Sequence, residues 1–496
     1  MSFAESMPTA RPARASSLPY RLAIAFILAM LADWLFYDQS IGISAVIFGI
    51  ALACGAVIAN FENLDRRQLW LAGLALLAGL IPAIESANAL SLALVVAALG
   101  LALSLVTNPN LDGAISLALA FCDLFVVGPL RLFRDAVGMV SLSGLASGFT
   151  VWFVPLALGG FFVVLFATAN PVIEGWVRQF CQDNSASHVG FERILFFVAA
   201  IALVWPFVHV RWRTRPEAAA SSPIPVAPDP AAATSVFDLL GAATILRSLI
   251  LFNLLFAVQS ALDLIYLWGN AELPDGITYA SYAHRGAYPL ILTALLAGGF
   301  VLAAMRPGGP ADGVKVIRPL VYLFVAQTLL LVASSILRLD LYVQIYLLTI
   351  WRIAAFIWML LVALGLVLIV ARIALMRPNG WLIRANLIAL AAVLYSCALT
   401  NFAAIIADYN VTHSREAGGK GVTIDINYLL QLGPQALPAI DRALQLRALD
   451  PFLMARRDRL ADEHARRMAS WRAWGFRSWR LQRYMTSPQD HPPAGS

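Results

Sequence analysis

The sequence predicts an all-α, polytopic membrane protein with about eleven transmembrane helices and a small helical tail outside the membrane at its C-terminal end. Three observations predict it. Hydrophobic residues make up 60% of the chain and charged residues 13%, whereas soluble domains carry about 25% charge; the mean hydropathy is +0.75. Several apolar runs reach the roughly 20 residues that carry a helix across a bilayer. Runs such as 69–80 and 355–371 do not alternate polar with apolar residues, which excludes a transmembrane barrel and leaves helices to satisfy the backbone in lipid.

Taken in order, the apolar runs place spans at 20–36, 41–60, 68–85, 88–107, 150–169, 191–210, 243–268, 286–305, 317–337, 351–374 and 384–407. Arg11, Arg14 and Arg21 precede the first run, but no small-residue cleavage site follows it, so it reads as an uncleaved span. A further piece at 112–133 either lies in the cytoplasmic interface or crosses as a twelfth span. Short basic loops stay on the cytoplasmic side. If 112–133 does not cross, Arg66-Arg67, Arg131/Arg134, Arg211/Arg213/Arg215, Arg306/Lys315/Arg318 and Arg372/Arg377 all fall inside, and Asp38, Glu85, Glu272 and Asp275 fall outside. That reading puts the N-terminus in and the C-terminus out.

The boundaries follow. Residues 1–19 form a cytoplasmic tail and 20–210 an N-terminal membrane half of about six spans. Residues 211–236 are a linker, because Pro216, Pro223, Pro225, Pro228 and Pro230 sit among Ala and Ser with too little apolar surface to pack. Residues 237–407 form a half of about five spans, and 408–496 an outer-face tail. No internal repeat links the halves. The tail carries an arginine-rich helix from Met454 to Arg483 with Trp471, Trp474 and Trp479 interleaved. It reads either as a surface for anionic lipid or an envelope polymer, or as an amphipathic helix on the protein's own outer loops; nucleic acid is excluded as a partner for an exported tail.

Ionisable residues at membrane depth mark the candidate site, since each costs about 3 kcal/mol to insert without a partner or water. Gln259, Asp263 and Tyr266 fall at i, i+4 and i+7, on one helix face. The turn that follows, Tyr279 to Pro289, brings Tyr282, His284, Arg285 and Tyr288, a proton or anion site on one reading and an interfacial aromatic belt on the other. Tyr342, Tyr346, Thr349 and Arg352 fall on one stripe if a helix starts near Leu341, and Arg352 is then the expected partner of Asp263, the alternatives being a structural salt bridge or an arginine reaching the headgroups. Asn386, Tyr395, Thr400, Asn401 and Asp408 form a third polar group, which helix-to-helix hydrogen bonds also explain.

No P-loop, dinucleotide fingerprint, HExxH helix or GxSxG elbow is present. Cys54, Cys122, Cys181 and Cys397 are scattered and make no CxxC pair, so neither metal ligation nor a disulfide framework is expected, and no cofactor. Catalysis has no positive support, a membrane-embedded transferase lacking an acid/base pair at convincing spacing.

The segments Tyr282-Ala-His-Arg-Gly286-Ala-Tyr288, Tyr346-Leu-Leu-Thr349-Ile-Trp-Arg352, Asp408-Tyr409-Asn410 and Ile424-Asp425-Ile-Asn-Tyr428-Leu-Leu-Gln-Leu432-Gly433 resemble a bacterial membrane-protein family known as domain of unknown function 4173, a relative of the one numbered 4153. The resemblance covers about residues 150–440; Leu347 stands where that family's pattern has glycine. It implies a bacterial cell membrane and no activity. Two functions are expected from the residues: transport or handling of a polar, anionic or lipid-linked envelope molecule, or a non-catalytic scaffold whose outer tail binds a partner or polymer. The lipid bilayer is the one partner that the composition requires; protein partners are unknown.

Overall fold

The computed structural model describes residues 18–60, 66–107, 120–129, 188–210, 242–265, 295–302, 314–446 and 450–487, with residues 117, 293, 304 and 305. Every regular element among the described residues is helical. In chain order the α-helices are α1 (Leu18–Phe36), α2 (Ile43–Asn60), α3 (Arg66–Glu85), α4 (Ala89–Thr107), α5 (His188–Val208), α6 (Ala242–Asp263), α7 (Ile317–Tyr346), α8 (Ile350–Ala374), α9 (Asn379–Leu399), α10 (Phe402–His413), α11 (Ile426–Gln431), α12 (Leu437–Leu446), α13 (Pro451–Met468) and α14 (Phe476–Thr486). Eight of them, α1 to α4 and α6 to α9, are long and apolar enough to cross a membrane. The expected spans at 150–169 and the first part of 286–305, most of 112–133 and the linker lie outside the described residues. Of 112–133, residues 123–127 form a π-helix.

Three expected boundaries are corrected. Helix α7 does not stop at Leu337 but runs on to Tyr346, about 45 Å of helix against a hydrocarbon core of about 30 Å. The expected span at 384–407 is two helices, because Thr400 turns extended and Asn401 caps α10, its side chain accepting from the Ala404 N–H at 3.2 Å. The expected helix from Met454 to Arg483 is likewise broken, by a bend through Ser470 and a short 3₁₀ turn at Trp471–Ala473.

The chain divides into two compact units, Met1–Glu217 with Arg467–Arg480, and Ala218–Arg466 with Leu481–Ser496. In the first, Ala25, Leu28, Val46, Leu80, Leu99 and Trp205 form the core. Helices α3 and α4 make a hairpin in which Gly79 has no room for a Cβ, which would lie 2.2 Å from that of Ala98, the close backbone approach typical of membrane helices. Asn88 caps α4, its side-chain Oδ1 accepting from the Ser91 N–H at 3.0 Å while its backbone N–H donates to Ser91 Oγ at 2.9 Å.

The tail segment of this unit packs on the turns between α1 and α2 and between α3 and α4. Arg472 lies against the rings of Trp34 and Trp471 at 4.6 and 5.2 Å, Ile43 N–H donates to the Trp474 carbonyl at 2.7 Å, and Arg477 and Arg480 both reach Glu85, at 3.3 and 2.6 Å. A Cβ at Gly42 would meet the Ala473 carbonyl carbon at 2.3 Å, so this fit requires glycine. Gly42→Ala is expected to cost about 1–3 kcal/mol through overpacking and to raise the rate of limited proteolysis between Ser470 and Gly475 several-fold; an unchanged rate would show that the turn does not hold the tail.

In the second unit Phe252, Phe256, Phe300 and Phe324 pack in the core of α6, α7 and α8. The tail helices of this unit meet at Asp441, which accepts from Arg457 Nε at 2.8 Å and from the Tyr484 hydroxyl at 2.9 Å. Asp441 raises the Arg457 pKa, while burial and then the Asp441 carboxylate push the Tyr484 phenol from its ordinary 10.0 up to about 12. Below pH 10.0 the phenol is neutral whether the tail is folded or not; between 10.0 and about 12 only the unfolded chain loses the proton, so tail stability falls as pH rises through that window. Tyr484→Phe is expected to flatten this alkaline loss in circular-dichroism melts taken across it.

Candidate functional site

Two buried polar arrangements occupy the second unit. The first lies between α6 and α7. Along α6, Ile245, Leu249, Asn253, Ser260 and Asp263 are buried, a stripe at helical spacing that turns from apolar to polar toward the helix end. Along α7 the facing stripe runs through Val321, Phe324, Thr328, Leu331, Ser335 and Arg338. The two helices run in the same direction. Asn253 Nδ2 donates to the Leu249 carbonyl at 2.8 Å and to the Leu320 carbonyl of α7 at 3.1 Å, near one end. Toward the other end, Arg338 Nη2 donates to Asp263 Oδ1, and Gln259 Nε2 reaches the same oxygen at 3.0 Å. Asp263 is 0% exposed and Arg338 3%.

This arrangement fits lipid physics. Taking two charges out of water costs several kcal/mol each, and the pair recovers this only with good geometry and further hydrogen bonds. Thr328 and Ser335 return their hydroxyls to the carbonyls four residues earlier, at 2.7 and 2.8 Å, so they add polarity to the interface without exposing a donor. Ser260 and Ser334 are buried beside them, 6% and 0% exposed. Past Asp263 the chain takes a π turn at Leu264 and Ile265, a feature frequent at functional sites. Arg338 lies eight residues before the end of α7 at Tyr346, about 12 Å along the axis, so the pair sits nearer the end that bears the α7–α8 turn. At the opposite end of these helices Arg372 donates to the Met305 carbonyl at 3.0 Å and Arg318 reaches Met376 Sδ at 2.9 Å.

The second arrangement is the α7–α8 turn itself. Tyr342, Tyr346, Thr349 and Arg352 are not one helical stripe, because Leu347 takes φ 63° and ends α7, and Thr349 caps α8 by accepting from the Arg352 N–H at 3.4 Å. A leucine holds this positive-φ backbone, at a cost of order 1–3 kcal/mol, with its side chain 4% exposed. Arg352 does not pair with Asp263. It folds back to donate to the Tyr346 carbonyl at 2.6 Å and to the Leu347 carbonyl, and lies over the Tyr342 ring at 4.7 Å.

The motif residues from the C-terminal segments close on this turn. Asn410 grips the Leu348 peptide from both sides, accepting from its N–H at 2.7 Å and donating to its carbonyl at 2.9 Å. Ile350 N–H donates to the Tyr428 hydroxyl at 2.9 Å, Val422 N–H to the Ile345 carbonyl at 2.9 Å, and Asp425 caps α11 by accepting from the Tyr428 N–H at 3.0 Å. Tyr409 stacks on His413 at 4.0 Å, and burial, then the charge of Asp340, raises its phenol pKa.

Of the residues expected at the site, Gln259 and Asp263 therefore stand together between α6 and α7, while Tyr346, Thr349 and Arg352 stand together in the turn. Tyr266, Tyr282, His284, Arg285 and Tyr288 lie outside the described residues. Sequence reasoning missed Arg338 as the partner of Asp263, and Asn410 and Tyr428 as the clasp of the turn. In the third expected group, Asn386 Nδ2 donates to its own helix at Leu382 O, 2.9 Å, and Asn401 to Gln435 Oε1, also 2.9 Å, both structural roles. Among the described residues no cluster of His, Cys, Asp or Glu is suited to a metal ion.

Breaking a buried pair leaves one charge uncompensated. Asp263→Ala and Arg338→Ala are each expected to destabilise the second unit by about 3–5 kcal/mol, and Asp263→Leu combined with Arg338→Met to recover most of that loss. Unfolding titrations in mixed micelles measure the coupling; additive single losses would mean that the two groups do not interact.

Apolar helices of membrane-crossing length around a desolvated ion pair define a multi-pass integral membrane protein. The chain belongs to the family described as a domain of unknown function, DUF4153, whose model matches residues 72–443, a range that takes in the ion pair, the α7–α8 turn and its clasp. The motif resemblance puts the family numbered 4173 first and 4153 as its relative; the match is to 4153. No curated protein and no solved structure matches the chain.

Proposed function

We propose that the protein moves or handles a polar or anionic molecule, free or lipid-linked, in the cell envelope, and that the Asp263–Arg338 pair is its polar centre. One observation carries the reading: a carboxylate and a guanidinium are kept at 0% and 3% exposure between two apolar helices, and intramembrane charges mark solute and proton pathways. The pair also specifies the exchange chemistry. A carboxylate or phosphate on the solute competes for the Arg338 fork while Asp263 takes up a proton or cation, so neither partner is left as a bare charge. Gln259, Ser260 and Ser334 supply neutral hydrogen-bonding groups alongside. Tyr266, Tyr282, His284, Arg285 and Tyr288, on the segment that follows α6, extend this proposed lining. Tyr346, Thr349 and Arg352 are assigned instead to the turn that closes the end of α7.

The charge distribution supports about eleven spans with the N-terminus inside and the tail outside, and the segment motifs support a resemblance to the related family numbered 4173 and, with it, a bacterial cytoplasmic membrane. A second reading, a non-catalytic scaffold, is favoured by the exposed arginines Arg459 and Arg466 in the tail, which offer a basic surface to a partner or envelope polymer.

Single cysteines at Ser260 and Ser334, in a chain whose four native cysteines are replaced, decide between the readings. A membrane-impermeant maleimide is expected to label both slowly from the side of the α7–α8 turn, and faster when Asp263→Asn loosens the grip on Arg338. Complete protection from both sides, with loop cysteines labelling normally, would make the pair a static clasp and favour the scaffold.

A further inference from the structure

Along α1, Ile27, Met30 and Trp34 are 63%, 55% and 54% exposed and fall at i, i+3 and i+7, on one face. On a helix long and apolar enough to cross a membrane, such a stripe is a surface for lipid chains. It covers about 10 Å of the axis and ends at Trp34, just before the helix itself ends at Phe36. There the tail segment closes over it. Trp471, 47% exposed, holds its ring 5.8 Å from that of Trp34, and the Arg472 guanidinium lies over both, at 4.6 and 5.2 Å.

The two rings stabilise the charge on Arg472 and hold it in place. The other arginines of this unit's surface have carboxylates: Arg193 has Asp33, and Arg477 and Arg480 share Glu85. The Arg472 side chain makes no ion pair and no hydrogen bond among the described residues, and its Nε is enclosed, so the two terminal nitrogens are the donors that a ligand can reach. That edge of a guanidinium matches two oxygens of a phosphate.

We propose that this corner binds an anionic phospholipid, one acyl chain lying along Ile27 and Met30 and the phosphate meeting the terminal nitrogens of Arg472 beside Trp34 and Trp471. Tryptophans at the end of a spanning helix sit at headgroup level, which puts the guanidinium at the depth of the phosphates. The apolar stripe leading to it offers nothing to a soluble anion. A zwitterionic lipid brings its own cation to the phosphate, so a lipid of net negative charge gains most. All these residues belong to the first unit, and the site does not depend on the Asp263–Arg338 pair of the second.

The test uses the full chain in nanodiscs with photoactivatable, clickable phosphatidylglycerol, or phosphatidylcholine of the same chains, the reactive group placed next to the glycerol. Crosslinks are expected in peptides covering 27–37 and 471–475, about tenfold stronger for phosphatidylglycerol, and about tenfold weaker in Arg472→Gln, the worth of roughly one hydrogen bond to a charged group. Limited proteolysis between Ser470 and Gly475 shows whether the tail stays docked in that variant. If it does not, Arg472→Lys, which keeps a cation over the rings and loses the fork, is expected to lower labelling about threefold with proteolysis unchanged. Equal labelling by the two lipids, or labelling that both variants leave unchanged, overturns the proposal. So does suppression by inorganic phosphate beyond that by chloride of equal ionic strength, which would assign the corner to a soluble anion.

Discussion

Between α6 and α7 a charge is met by an opposite charge where water is excluded, and the architecture of the second unit answers to that constraint. Arg338 meets Asp263 about 32 Å along α7, and the helix then runs on for eight more residues, beyond the length that spans a hydrocarbon core. An overlong helix then needs a defined end. Leu347 and the Thr349 cap supply one, and Asn410, Val422 and Tyr428 bind the backbone that the reversal exposes. Every peptide group at such a turn that lacks a helical partner needs another one, and a side-chain amide used on both edges of the Leu348 peptide meets the need with one residue. The tail segments that carry Asn410 and Tyr428 are on this view part of the membrane domain's closure.

How far this was legible from the residues depended on whether the signal was local. The i, i+4 spacing of Gln259 and Asp263 is local, and the two are hydrogen-bonded as that spacing implies. Thr349 before an apolar run and Asn401 before α10 are cap residues readable in place. Arg338 carries no such local signal: it follows 19 uncharged residues, 319–337, and stands one residue past the expected end of the span, where charges ordinarily mark the exit from the membrane. The Tyr342 to Arg352 stripe failed for the converse reason. It assumed one continuous helix, and the residue that breaks it is a leucine in a backbone region that usually announces itself through glycine.

The tail shows a similar limit. Arginine and tryptophan at close spacing suggest a surface for an anionic partner, and composition alone cannot say that partners already exist within the chain. In the first unit Arg472, Arg477 and Arg480 are occupied by Trp34, Trp471 and Glu85. In the second, Arg457 is held by Asp441. These contacts join residues up to 395 positions apart in sequence, a separation over which neither periodicity nor motif spacing carries information. The break between α13 and α14 follows from the same packing, since a straight helix could not bring Ile43 N–H to the Trp474 carbonyl while Arg480 meets Glu85.

The Asp263–Arg338 pair is already matched, and a guest gains there only by replacing one charged partner with another. Hydrophobic residues of similar volume would hold α6 and α7 together at least as well, since buried ion pairs seldom add net stability. What such residues would lack is a matched state that charged ligands can open and restore. An exchangeable pair therefore suits a site that must release its ligand.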